Sequence, residues 1–213
     1  MSAALRGRFI SLEGIEGAGK STVARFVVEW LGARGHKVNL TREPGGTPLA
    51  ERVRAIVLER GGEILSAATE TLLMFAARGI HVENFIRPAL ARGEWVVCDR
   101  FTDATRAYQG AGRGVERAWI EALAQAVHPQ LHPDCTLLLD LPVAMGLARS
   151  KRRSGDAPAD RFEAEPAQFF ERVRAAYLQL AHEEPQRVRV IDAAQTLPQV
   201  RAQIESLLQS LFE

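Results

Sequence analysis

The run Gly14-Ile15-Glu16-Gly17-Ala18-Gly19-Lys20-Ser21 limits this chain more than any other feature. It fits the spacing G-x-x-x-x-G-K-[ST] and follows directly on the apolar, strand-like segment Phe9 to Glu13. It runs straight into Lys20 to Arg34, where Val23, Phe26, Val27, Trp30 and Leu31 recur at helical spacing. Each residue type has a task. Glycines let consecutive backbone N–H groups turn inward around anionic oxygens. The helix start adds roughly half a positive charge. Lys20 supplies a full charge for the outer phosphates of a nucleoside triphosphate, and Ser21 is placed to ligate Mg²⁺. A Gly-rich turn before an ordinary helix would share the composition. Strand, loop and helix in that order favour the phosphate cradle, with Gly14 through Thr22 at the bound nucleotide.

The rest of the chain repeats the alternation. Val38 to Thr41, Trp95 to Cys98, Cys135 to Leu141 and Val188 to Ile191 are short apolar runs that read as strands. Between and after them, Leu49 to Leu58, Ala68 to Leu90, Val115 to Val127, Ala144 to Arg153, Pro166 to His182 and Leu197 to Leu211 read as helices. Five strands separated by helices predict an α/β fold, a five-stranded parallel sheet with helices on both faces and ligands at the carboxyl strand ends. The 213 residues fit one domain. A net charge of +1 supplies no global field for nucleic acid, so none is expected as a partner. Cys98 and Cys135 sit in apolar runs without Cys-x-x-Cys spacing, and the five histidines are scattered, which argues against a zinc or redox centre. Met1 to Arg8 has no apolar core of a signal peptide, and no apolar run is long enough to span a bilayer. The expected location is the cytoplasm. Trp95 to Asp99 is an apolar strand ending in an acid, and beside the cradle Asp99 is expected near the metal.

Four further segments narrow the class: Thr41-Arg42-Glu43-Pro44-Gly45-Gly46-Thr47, Phe75-Ala76-Ala77-Arg78, Asp99-Arg100-Phe101 and Ala107-Tyr108-Gln109-Gly110. With Asp160-Arg161-Phe162-Glu163 they resemble bacterial thymidylate kinase, a P-loop nucleoside-monophosphate kinase, over nearly the whole chain. The resemblance implies ATP-dependent phosphorylation of dTMP with Mg²⁺, in a homodimer paired through helices such as the one around Leu72 to Ile80. It implies that Arg100 and Arg54 hold the acceptor phosphate, as planar guanidinium groups suit phosphate oxygens. Glu43 and Pro44 would lie beside that phosphate, with Glu43 also near the metal. Arg78 would bind a thymine carbonyl, Thr105 and Gln109 the other base edge, and Tyr108 would pack by the deoxyribose. The aromatic that stacks on the base lies four residues before the arginine in many relatives. Here that position is Met74, while Phe75 lies three before, and Phe75 is favoured with Met74 as the alternative.

Arg149, Lys151, Arg152 and Arg153 precede the small-residue loop Ser154 to Ala159. A charge run of this kind is usually a solvated face. Here it stands where relatives carry a mobile lid, which the resemblance places around residues 149–161. The cradle holds no base before Lys20, so the chain resembles the kind whose catalytic basic residues come from the lid. Lys20, Arg100, Arg153 and Glu16 are therefore the expected catalytic groups. Adenine is expected between Arg149 and the loop near Ala193. Two other readings stay open from sequence: a kinase for another nucleotide, and a P-loop ATPase that acts as a switch.

Overall fold

The computed structural model describes residues 7–60, 63–155 and 160–212. Five parallel strands, β1 (Phe9–Glu13), β2 (Val38–Arg42), β3 (Trp95–Asp99), β4 (Cys135–Asp140) and β5 (Val188–Asp192), lie in the order β2-β3-β1-β4-β5. Each strand falls within one residue of its expected end. The chain order reverses beside β1, which is wholly buried at the centre of the sheet. Ligand clefts of such sheets form at that point.

Alternation along the strands assigns their two faces. On β3, Trp95 and Val97 join the large core with Val23, Val27 and Leu31 of α1 (Lys20–Gly32). Trp95 also meets Phe212 of α9 (Leu197–Phe212) edge-on. Val96 and Cys98 instead pack with Phe9, Val82, Ile86 and Ala89. A side-chain period of two thus puts helices on both faces, as expected.

The helices depart from the expected spans in two places. The long helix Ala68 to Leu90 is α3 (Ala67–His81), a π-helical turn at Val82–Ile86, then α4 (Arg87–Ala91). Residues 102–112, where no helix was expected, form α5 (Thr102–Thr105) and a second π-helical turn, Arg106–Gly112. A π turn adds a residue to the ring and breaks the 3.6-residue period, so periodicity does not reveal it. The remaining helices are α2 (Pro48–Leu58), α6 (Arg117–Val127), α7 (Val143–Ser154) and α8 (Ala167–Glu183). Thr47 caps α2 through Oγ1, and Pro48 opens it where no N–H is needed.

Candidate active site

A cleft of about 530 Å³ opens along the carboxyl ends of β1, β2 and β3, a size usual for small-ligand sites. Eight cationic side chains line it against five carboxylates. That surplus suits a polyphosphate.

On one side lies the cradle. Glu16, Gly17, Gly19, Lys20, Ser21 and Thr22 line the cleft. Gly14, Ile15 and Ala18 do not; Ile15 and Ala18 are buried in the core. Gly14 and Ile15 serve through their carbonyls, each of which accepts from Lys20 Nζ at 3.0 Å. Gly17 has φ of 72°, and a Cβ there would run into Gly146 O of α7, so only glycine fits. Gly19 starts α1 without a side-chain cap, which leaves the first-turn N–H groups for an anion. Burial pushes the Lys20 ammonium down to about 8, and the Arg100 charge adds to the effect. Ser21 Oγ donates to Asp99 Oδ2 at 3.3 Å, so hydroxyl and carboxylate stand together at the cradle's edge. Arg149, further along the cleft, donates from Nη1 to Ala193 O at 2.8 Å. The two residues expected around adenine are thus direct neighbours, with only Arg149 on the cleft wall.

The facing side gathers Arg42, Glu43, Pro44, Arg54, Met74, Arg78, Arg100, Phe101, Thr105, Tyr108 and Gln109. Arg100 has a φ of 74°, unusual for a residue with a side chain and typical of positions that a surrounding structure holds in place. Its Nη2 donates to Glu16 Oε1 and to Tyr108 Oη, both at 2.9 Å, and its Nη1 to Tyr177 Oη at 3.3 Å. Tyr108 in turn donates to Glu16 Oε2 at 2.8 Å. Glu16 is thereby tied to Arg100 and Tyr108 across the cleft. Arg54 Nη1 donates to Pro44 O at 2.8 Å.

Two expectations change here. Glu43, expected at the metal, has both oxygens taken: Arg78 Nε donates to Oε2 at 2.6 Å, and His81 Nδ1 lies 3.0 Å from Oε1. Burial would raise this carboxyl, but Arg78 and His81 hold it below its usual range. Glu43 braces Arg78. Phe75, favoured for stacking, packs with Ile120 and Ala124 and is absent from the cleft wall, where Met74 stands instead. A helix turns about 100° per residue, so Met74 lies about 40° from Arg78 and Phe75 about 60° to the other side. The cleft lies on the Met74 side.

Arg78 also donates from Nη2 to Thr105 Oγ1 at 3.0 Å and to Phe101 O at 3.2 Å. Its Nη1 is buried and has no hydrogen-bond partner among the described residues. A buried guanidinium N–H left over in a cleft is unusual, and a carbonyl oxygen would complete it.

Sequence reasoning missed several groups that shape this site. Glu13, Tyr177 and His81 stand in no motif, and Phe101 closes the segment Asp99-Arg100-Phe101 without a role of its own. Glu13 is fully buried at the end of β1, where Oε1 accepts from Phe101 N at 2.7 Å and Oε2 from Tyr177 Oη at 2.6 Å. His81 Nε2 lies 2.7 Å from Thr41 Oγ1, which locks the ring that holds Glu43. An acid ending a strand beside a cradle was the one available signal for Glu13. Of the expected lid, residues 156–159 lie outside the described residues. Arg153 lines the cleft, 64% exposed, with Nη2 donating to Ser150 Oγ at 3.1 Å and to Glu163 Oε1 at 3.3 Å. Asp160, Phe162 and Glu163 also line the cleft.

Comparison with known proteins bears on this arrangement. The family model described as thymidylate kinase matches residues 12–204. A thymidylate kinase of Ectopseudomonas mendocina (strain ymp) is 56% identical over 209 residues, covering 98% of each chain. One from Pseudomonas syringae pv. syringae is equally similar. Among solved structures, a thymidylate kinase from Ehrlichia chaffeensis superposes with a TM-score of 0.73 at 31% identity, covering 96% of this chain and 99% of that one.

Proposed function

The chain belongs to the thymidylate kinase family, whose reaction moves a phosphoryl group from ATP to dTMP, and we propose that its cleft divides that reaction between a donor half at Gly17 to Thr22 and an acceptor half at Arg54, Arg78, Arg100 and Gln109. The reaction is ATP + dTMP → ADP + dTDP, a step toward dTTP and DNA synthesis. A dTMP phosphate oxygen attacks the γ-phosphorus, the bond to the β–γ bridging oxygen breaks, and ADP leaves. The attacking oxygen is already ionised, so the protein needs no nucleophile of its own. Its work is to position two anions and offset their repulsion.

The observation that carries the acceptor reading is the unpartnered Nη1 of Arg78, in a cleft with surplus positive charge. Arg78 takes a thymine carbonyl, Gln109 and Thr105 take the rest of the base edge, and Met74 and Phe101 supply apolar wall. Arg100 and Arg54 take the acceptor phosphate. Lys20 and the backbone N–H groups take the donor phosphates.

The paired oxygens of Ser21 and Asp99 fit Mg²⁺, which prefers hard oxygen ligands. Among the described residues no cluster of three or more His, Cys, Asp or Glu could hold a metal alone. Phosphate oxygens would complete the shell, as is usual for this ion. Held by Ser21 and Asp99 beside ATP, such an ion would supply charge neutralisation to the donor phosphates. Arg153, in the expected lid, is placed to add charge at the transferring group, and Arg149 to lie against adenine.

A homodimer is part of this reading, supported by Leu49, Ile56 and Leu72, which are about half exposed on the adjoining α2 and α3. A cytoplasmic setting is supported by the two free, buried cysteines. No helix among the described residues is long and apolar enough to cross a membrane. The function is tested by coupled ADP release with each nucleoside monophosphate in turn. dTMP is expected to be far ahead of dCMP, dAMP and dGMP, with dUMP nearer because it lacks only a methyl group. Equal use of dCMP and dTMP would refute the base assignment.

A further inference from the structure

Glu70 on α3 is completely buried, and nothing in the reaction above uses it. A carboxylate in such a place is costly unless its oxygens are paired. Three side chains from two stretches of chain converge on it. Gln109 Nε2, on the second π-helical turn, donates to Oε1 at 2.8 Å. Arg113 Nε donates to the same oxygen at 3.4 Å, and its Nη1 donates to Glu165 Oε1 at 2.6 Å. Arg161 Nη2 lies 2.6 Å from Oε2, an ion pair out of line for a hydrogen bond, and donates to Leu65 O at 3.3 Å.

The arrangement decides which way an amide faces. A carboxylate flanked by two guanidinium groups only accepts, so Gln109 must turn its nitrogen toward Glu70. Its oxygen is then the amide atom left for the cleft that Gln109 lines. Thymine carries a hydrogen on N3, whereas cytosine carries a lone pair there. An amide oxygen matches the first and repels the second. An amide free to flip would accept both, because its nitrogen could donate to cytosine N3.

We propose that Glu70 is a specificity-determining positioning residue, fixing the Gln109 amide so that its oxygen meets the N3–H of thymine and opposes the N3 lone pair of cytosine. The proposal rests on the reading of Gln109 as a base contact. Arg161 and Arg113 hold Glu70 in turn, so base choice also depends on the segment Asp160 to Glu165, which supplies Arg161 and the Glu165 carboxylate that anchors Arg113.

The test is kcat/KM for dTMP and for dCMP, with KM for ATP measured alongside, on the full chain and on Gln109→Ala, Glu70→Gln and Arg161→Ala. Glu70→Gln puts an amide that both donates and accepts beside Gln109. It is expected to cut the preference for dTMP over dCMP by roughly 10-fold or more, chiefly by raising dCMP use, with KM for ATP unchanged. Arg161→Ala is expected to shift the preference the same way by less. If Gln109→Ala keeps the full preference, the base contact itself is wrong, and the role of Glu70 falls with it. If Gln109→Ala loses the preference while Glu70→Gln and Arg161→Ala keep it, or lose both substrates equally, the positioning role alone is overturned. Should Glu70→Gln not fold, Arg161→Ala at the rim decides by the same criterion.

Discussion

The two halves of the cleft are built in different ways. The proposed donor half is one continuous stretch, Gly17 to Thr22, which offers backbone N–H groups at a helix start and one lysine. The acceptor half draws side chains from β2, α2, α3, β3 and the second π-helical turn, and holds them with a network in which nearly every group has a partner. A backbone cradle is specified by local sequence, because glycine placement and a helix start are local properties. A side-chain network is specified by contacts between distant residues: Arg100 and Glu16 are 84 positions apart, and Glu13 and Tyr177 are 164. The first kind of site reads phosphate oxygens and not bases. The second can choose among bases.

The largest expected loss belongs to neither half. Arg153 is mostly exposed and, among the described residues, is held by Ser150 and Glu163, which leaves it placed to engage a developing charge. A group that engages the transferring phosphoryl only as the bond changes appears in kcat. By analogy with an arginine finger, Arg153→Ala should cost on the order of 10³-fold in kcat, with little change in either KM. Arg149→Ala should instead raise KM for ATP. Steady-state kinetics on both variants check this, and wild-type kcat in Arg153→Ala would return these charges to the solvated surface.

Within the donor half, Lys20→Ala should lower kcat on the order of 10²-fold while leaving dTMP affinity near normal. Within the acceptor half, Arg100→Ala should lower kcat/KM for dTMP by about 10- to 100-fold, the value of a desolvated, charge-assisted contact, and leave ATP binding intact. Calorimetric titration of each variant with each nucleotide tells the halves apart. If Arg100→Ala lost ATP affinity and kept dTMP affinity, the division of the cleft would be reversed.

The same contrast explains what could be read from the chain. The five strands, the crossovers and the cradle are local patterns, and all were legible. Arg54, Arg78, Arg100, Tyr108 and Gln109 were legible as cleft residues only through their resemblance to a family. Met74 and Phe75 could not be separated, because both helical offsets fall near Arg78 and only the position of the cleft decides. Glu43 looked like an open carboxylate, because nothing local shows that Arg78 and His81 reach it from α3. Residues 102–112 looked irregular, since a π turn has no 3.6-residue period. Glu70 and Tyr177 gave no warning: a buried polar residue in sequence looks like any other until its partners are known.

Glu13 stands where the two halves meet, and it allows the smallest and most specific test. It ends the strand that precedes the cradle, yet its oxygens hold Phe101 N and Tyr177 Oη on the acceptor side. Burial, helped by the nearby Asp103 charge, raises its carboxyl to about 7, against the pull of Arg100 and of the hydrogen bonds from Tyr177 and Phe101 N. In the unfolded chain a glutamate titrates near its ordinary value, about 4.3. Between those two values the folded state keeps a proton that the unfolded state has lost. Stability contributed by this group is therefore full at low pH and declines as pH rises toward 7, at about 1 kcal/mol per pH unit. Glu13→Gln removes the titration while keeping the shape, and its amide cannot follow pH. Urea denaturation of both proteins at pH 5.5 and 6.5 is the measurement. The wild type should lose about 1 kcal/mol relative to the variant over that step. Parallel losses in the two proteins would mean that Glu13 is ionised throughout, and that the seam between the halves is held by a charge pair with Arg100 rather than by a neutral carboxyl.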